Sequence, residues 1–329
     1  MRVRRYDDAD AEAWDRIVAD APMGTFLHTR RFLSYHGGRF RDVSLFLEDD
    51  RGRPVGVLPA AMDPASDAVA CSHPGSTFGG LVHGELVSAN DAGAMLQAVM
   101  QHYREQGVAE VVYKCIPAHL TDKLSYLDQY ALWRAGGRLI RRDLWNVIDV
   151  TQPRKSMKAQ MRRRRLRKAL DAGLTAQEEY SDDAYHQFHA ILSSNLEARH
   201  HVRPVHTPDE MIHLRGLFPD QVRLWLVRDV HGEPLAGTWV FRHSRRAWHT
   251  QYIAATQAGR DVSATDQLFE TIIEQAKLSS IRYLSLGAST EQDGRVLNMG
   301  LFDFKASFGF GSVVQDFFRL DLEVGHVLS

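Results

Sequence analysis

The stretch from Ala247 to Gly287 admits few folds. Ala247-Trp-His-Thr-Gln-Tyr-Ile-Ala-Ala-Thr256 is dense in aromatic and β-branched residues and predicts a strand. Gln257-Ala-Gly-Arg-Asp-Val262 predicts a polar turn, and Ser263-Ala-Thr-Asp266 has the capping-box form that starts a helix. Leu268, Phe269, Ile272, Ile273 and Ala276 recur at helical spacing, and Ile281-Arg-Tyr-Leu-Ser-Leu-Gly287 predicts a second strand. Strand, helix, strand is a βαβ unit, with parallel neighbours and a right-handed crossover. The start of such a helix offers free N–H groups and the positive end of a dipole, so a diphosphate fits there. Many βαβ units bind nothing at that turn.

The first half follows the same plan. Residues 8–20 predict a helix with Trp14 and Ile17 inward, and Phe26–Leu33 a second short one. Residues 42–58 alternate, turn at Asp50-Arg-Gly52 and alternate again, which is a β-hairpin. Residues 68–71 and 77–82 predict strands; 91–106 a helix capped by Asn90 and closed by Gly107; and 108–116 a strand. Residues 124–136 predict a helix and 139–150 a returning strand. Gln221 to Gly237 repeats the hairpin: Gly232 and Pro234 answer Gly52 and Pro54 after a one-residue insertion. Val87-Ser-Ala-Asn90 precedes one long helix as Val262-Ser-Ala-Thr265 precedes the other. Matches in the same order, at an offset of about 175–180 residues, indicate duplication of one α/β unit. The expected fold is therefore α/β with mixed sheets, in two tandem domains, 1–150 and 151–329.

Between the halves, Gln152 to Leu170 holds a run of arginines and lysines among good helix formers, with Pro153 at its start and Gly173 at its end. It serves either as a solvated helix packing only Leu166, Ala169 and Leu170, or as an anion clamp, since arginine forks match phosphate oxygens. The formal net charge of −1 argues against wholesale binding to nucleic acid or anionic membranes, so such contact needs a local patch of this kind. Cys71 and Cys115 lie in apolar runs, with no disulfide framework. No signal-peptide core and no run of about 20 apolar residues is present, so a cytoplasmic protein is expected.

Strand, diphosphate turn, helix, strand resembles the core of the GNAT acyltransferases, whose turn reads Arg/Gln-x-x-Gly-x-Gly/Ala. Here it falls on Arg260-Asp-Val-Ser263-Ala-Thr265, with hydroxyl residues in place of both glycines. A Cβ at those positions limits how closely a pyrophosphate approaches. Asn298-Met-Gly-Leu-Phe-Asp-Phe-Lys-Ala-Ser-Phe-Gly309 is similar to the signature of the Fem-like branch, which includes peptidoglycan aminoacyltransferases and two-domain sugar N-acetyltransferases. The resemblance implies two tandem GNAT-like domains and acyl transfer to an amine. It implies an acyl donor over Arg260, Val262, Ser263, Ala264 and Thr265, joined by Asn298, and Lys305 at the transfer site, where a cation would stabilise the oxyanion.

His249 is a candidate general base because a free histidine titrates near neutrality. Tyr252 would face the other side of a regular strand, so the two share a cleft only across a bulge. The family's usual tyrosine acid is replaced by Phe302 and Phe304, which favours catalysis by positioning; Phe308 and Phe310 read as core. His201, Arg203, Tyr252 and Ser289 are candidate acceptor ligands. The sixteen histidines include close pairs but no metal frame, so no metal is expected. The first expectation is acetyl-CoA-dependent N-acetylation of a nucleotide-linked amino sugar. The alternatives are transfer from aminoacyl-tRNA, or a non-catalytic GNAT-like binding module.

Overall fold

The computed structural model describes residues 1–85, 87–153, 158–200 and 202–323, and for residues 199 and 200 the backbone only. The chain forms two compact units. Unit 1 takes Met1–Leu144, Thr290–Val296 and Val314–Ser329; unit 2 takes Trp145–Ser289 and Leu297–Val313.

Unit 1 opens with β1 (Arg2–Arg5), α1 (Ala11–Asp20), α2 (Arg30–Ser34) and the hairpin β2 (Leu45–Glu48) and β3 (Pro54–Leu58). It continues through β4 (Ala61–Asp63), β5 (Ser66–Cys71), β6 (Val82–His83), α3 (Ala89–Glu105), β7 (Glu110–Lys114) and α4 (Leu127–Arg134). β8 (Arg138–Asp149) carries the chain into unit 2. There α5 (Ala159–Asp171), β9 (Thr175–Glu179), α6 (Asp182–His200) and α7 (Pro208–Leu217) precede the hairpin β10 (Val222–Arg228) and β11 (Pro234–Arg242). β12 (Ala247–Ala255), α8 (Gln257–Asp261), α9 (Ala264–Leu278) and β13 (Tyr283–Ala288) form the βαβ unit. The two-residue strands β14 (Thr290–Glu291) and β15 (Val296–Leu297), then α10 (Met299–Ala306) and β16 (Ser312–Asp321), close the described chain.

In unit 1 one sheet has the order β1-β2-β3-β6, and β4-β5-β7-β16 lie side by side in another. In unit 2 the order is β8-β13-β12-β11-β10-β9. Among the described residues β5 pairs in parallel with β7 in unit 1 and β12 with β13 in unit 2, each over three residues. The core of unit 1 gathers Leu45, Leu58, Met95, Val99, Tyr113 and Leu320; that of unit 2 gathers Trp225, Val240, Trp248, Leu268, Phe269 and Ile273.

The internal repeat is visible at hydrogen-bond resolution. Asp49 Oδ1 accepts from the N–H groups of Arg51 and Arg53, while Asp229 Oδ1 accepts from those of His231 and Glu233. Gly52 (φ +72°) donates to Asp49 O, and Gly232 (φ +86°) to Asp229 O. The two turns match position for position, so no inserted residue separates them. An aspartate that ties down its own turn, followed by a glycine in the left-handed region, is a local code that both copies keep.

Several sequence expectations shift. The division near residue 151 is replaced by a crossing within β8, and residues 314–329 return to unit 1 because Phe317–Asp321 pair with Lys114–Glu110. Residues 77–82 are mostly loop: a Cβ on Gly79 would lie 2.0 Å from Ser72 O, and Gly80 sits at φ +99°. The helix cap is Ser88, in a reciprocal box with Asp91, rather than Asn90. α4 is shorter than 124–136. Residues 257–262 form the short helix α8 instead of a turn, capped by Thr256. Ser263 adopts φ +63°, outside the extended conformation an N-cap normally takes, and makes no side-chain cap; Asp266, the other half of the expected box, pairs with Arg162. Leu170 and Phe310, expected inside, are exposed, whereas Ala169 and Phe308 are buried.

Glycine to alanine separates the two glycines best placed to show this packing. At Gly259 a Cβ would stand 2.2 Å from Leu235 O, whereas at Gly216, within α7, it meets nothing within 4 Å. Gly259→Ala should cost about 1–3 kcal/mol of unfolding free energy, and Gly216→Ala should add up to about 1 kcal/mol. Urea midpoints of the two variants check both signs.

Candidate active site

The parallel pairing of β12 and β13 runs from Ala247↔Tyr283 to His249↔Ser285. β12 then continues to Ala255 and β13 to Ala288. A crevice at the carboxyl ends of parallel strands, where pairing stops, is where open α/β sheets place ligands. At this point β13 carries an irregularity between Ser285 and Gly287, and Gly287 sits at φ +76°. Only glycine adopts that conformation at no steric cost.

Gly287 lies between the two residues expected to do chemistry. A Cβ there would stand 3.2 Å from His249 Cε1 and 3.9 Å from Lys305 Nζ. Lys305 reaches from α10 and donates to Gly287 O (3.2 Å) and Ala288 O (2.6 Å). The side chain is buried, and burial lowers its pKa from 10.5 to about 7. His249 places Nδ1 3.2 Å from Ser285 Oγ and packs its ring 5.1 Å from that of Trp145. Burial first, and the Lys305 charge second, push its pKa down to about 3. The expectation of a histidine titrating near neutrality therefore does not hold: the buried ring is neutral and weakly basic. At neutral pH the titrating group of this pair is Lys305.

Tyr252 joins His249 on one face. The β11–β12 register skips a residue between Trp239↔Tyr252 and Val240↔Thr250, so Gln251 is bulged. The bulge resets the alternation. A continuous aromatic row results: Tyr252 stacks on Trp239 (5.9 Å, 11°), followed by Phe241, His243, His249 and Trp145, with neighbouring centroids 4.6 to 6.0 Å apart. His206 Nδ1 lies 2.9 Å from Tyr252 Oη. Trp145, His243, Ser285 and Gly287 were missed from the sequence. The Trp239-x-Phe241-x-His243 alternation and the glycine ending β13 were their only signals.

Other expected ligands are committed to the fold. Arg260 donates to Ala255 O (2.6 Å) and Asn195 Oδ1 (3.2 Å), holding the end of β12 against α6. Ser289 is buried and donates to Asn146 Oδ1 at 2.6 Å. Asn298 caps α10 by accepting from Leu301 N–H. Val262 and Thr265 are half-buried, Ser263 and Ala264 buried, all at the start of α9. Arg203 is exposed in the loop before α7, and His201 lies outside the described residues. Among the described residues no group of histidine, cysteine, aspartate or glutamate could hold a metal ion.

The basic helix is not a uniform solvated rod. Residues 154–157 lie outside the described region, and α5 begins at Ala159. Arg162 turns inward, pairs with Asp266 at 2.6 Å and lies over Phe308 at 4.0 Å from the ring centroid. Burial raises the Asp266 pKa against the pull of Arg162 and Arg165. Arg163, Arg164, Arg165, Arg167 and Lys168 remain exposed. The start of α9, where the diphosphate was expected, is thus flanked by arginines from α5 instead of glycines.

Comparison with known proteins gives this geometry a setting. Residues 155–305 match a family model described as an Acetyltransferase (GNAT) domain. No curated protein matches the sequence. The crystal structure of FemX aligns over 98% of this chain and 97% of its own, with a TM-score of 0.68 at 12% identity. The C-terminal domain of a putative lysylphosphatidylglycerol synthetase from Agrobacterium fabrum aligns over 95% and 92%, with a TM-score of 0.62 at 15% identity. A tandem GNAT protein from the clavulanic acid biosynthesis pathway covers 99% of each chain, with a TM-score of 0.54 at 10% identity.

A lysine whose pKa falls from 10.5 to about 7 binds fewer protons folded than unfolded across that window. Stability from this residue is therefore present above pH 10.5 and lost as pH falls toward 7. The unfolding free energy of the wild type minus that of Lys305→Met should rise by on the order of 1–3 kcal/mol from pH 7 to pH 10. Urea titrations at several pH values read this directly, and a constant difference would show that Lys305 is charged throughout.

Proposed function

We propose that this chain, which has a Fem-like GNAT superfamily fold, is an acyltransferase that N-acetylates a nucleotide-linked amino sugar with acetyl-CoA as donor. The observation that carries this reading is Lys305, a neutralisable amine held at the crevice between β12 and β13. An acceptor ammonium must lose a proton before it can attack. An amine with a pKa of about 7 is matched to that task at neutral pH.

In the proposed sequence Lys305 Nζ takes a proton from the acceptor ammonium. The freed amine lone pair attacks the thioester carbonyl carbon and forms the C–N bond. The resulting oxyanion lies beside the new Lys305 ammonium, which stabilises it. Collapse breaks the C–S bond; the Lys305 ammonium gives its proton to the leaving thiolate, and the regenerated amine takes the surplus proton from the amide nitrogen and passes it to solvent. His249, neutral and buried, orders Ser285 and the Gly287 turn rather than moving protons. Tyr252, with His206 on its hydroxyl, would meet the acceptor, and unit 1 is a non-catalytic partner in this reading.

A second reading, transfer from aminoacyl-tRNA, is favoured by one observation: five basic side chains of α5 are exposed on a helix pinned to the start of α9. Phosphate contacts of that kind make affinity fall steeply with salt.

Thermal unfolding with saturating acetyl-CoA should show stabilisation of about 2.7 kcal/mol at 100 times Kd, and thiol release should follow addition of amino-sugar nucleotides. Lys305→Met should lower kcat by about 100-fold or more while leaving the acetyl-CoA shift in place. No acetyl-CoA shift, together with salt-sensitive binding of charged tRNA, would transfer the assignment to the second reading.

A further inference from the structure

The helix α4 in unit 1 is apolar on two opposite faces. Ala131 and Leu132 are buried, and Asp128 on the same inner side accepts from Tyr113 Oη at 2.8 Å. The outer side presents Tyr126, Tyr130 and Trp133, spaced i, i+4, i+7, which puts all three on one stripe. They are 57%, 53% and 64% exposed, and Leu124 just before them is 58% exposed. The rings of Tyr130 and Trp133 lie 6.0 Å apart, so the stripe is continuous. A solvent-facing stripe normally carries charge, and three adjacent exposed aromatics mark a surface that something covers.

Composition selects the occupant. The stripe uses tyrosine and tryptophan, residues with an apolar body and a polar edge, which settle where hydrocarbon meets water. Its flanks are basic: Lys123 precedes it, Arg134 follows Trp133 on the helix, and Arg138 comes just after the helix ends; all three are exposed. The acidic groups close by are Asp122, half-buried beside Lys123, Asp128, which faces the core, and Glu85, which pairs with Lys123. An aromatic stripe followed by exposed arginines complements an anionic lipid surface. No described helix is long and apolar enough to cross a membrane, so the contact is peripheral.

We propose that α4 docks unit 1 on anionic phospholipid, with Tyr126, Tyr130 and Trp133 inserted at headgroup depth and Arg134 and Arg138 on the phosphates. The full chain should co-float with vesicles of phosphatidylcholine containing about 30% phosphatidylglycerol, with a blue shift in tryptophan emission, and not with phosphatidylcholine alone. The triple variant Tyr126→Ser, Tyr130→Ser, Trp133→Ser should melt as the wild type does and bind those vesicles at least about tenfold more weakly. High salt should weaken wild-type binding. The proposal is overturned if the wild type stays in solution with both vesicles, or if the variant floats equally well. It is overturned too if sedimentation velocity shows that the substitutions split a dimer while vesicles bind neither protein, because the stripe would then cover a second copy of the chain.

Discussion

A buried lysine amine whose hydrogen-bond partners among the described residues are carbonyl oxygens is the constraint on which the site depends. Lys305 has two carbonyl partners at the end of β13 and a histidine beside it that burial keeps neutral. Had a carboxylate stood there, the amine would be locked in its charged form and useless as a proton acceptor. The carbonyls of Gly287 and Ala288 become available because Gly287 turns the strand out of register. The left-handed glycine, the lowered lysine and the end of the β12–β13 pairing are therefore one device.

The two units show how a duplicated scaffold diverges at this device. In unit 1 the three-residue parallel pairing ends at Cys71↔Val112, as it ends at His249↔Ser285 in unit 2. Two residues beyond each lie Lys114 and Gly287. Lys114 projects its amine onto the carbonyls of His73 and Ser76, whereas in unit 2 the amine on the carbonyls comes from α10 and a glycine takes the strand position. The hairpin turns, far from this point, stayed alike because an aspartate and a glycine suffice to specify them.

Legibility in the sequence followed the range of the forces involved. The hairpins, the long α9 and the parallel β12–β13 neighbours were readable, since periodicity and turn chemistry are local. Lys305 was found through a motif, and Tyr252 with its condition of a bulge. What escaped was whatever depends on partners distant in sequence. Arg260 looked like a phosphate ligand because nothing local reveals Asn195 beside it. Ser263 looked like a helix cap because nothing local announces its left-handed backbone, or that Arg162 takes Asp266. His249 kept an ordinary titration on paper, since burial is a property of the whole fold. The return of β16 to unit 1 has no local signal at all.

That return has a consequence for synthesis on the ribosome. β7 gains its antiparallel neighbour from a strand made much later; Gln315 and Cys115, bonded in the finished unit, are 200 residues apart. Until β16 emerges, the nascent first unit carries an open strand edge with Val111 and Tyr113 unfinished around it, an invitation to pair with other chains. The second copy of the fold can be complete before the first one is. In this protein the unit begun first is the last to have all of its strands synthesised.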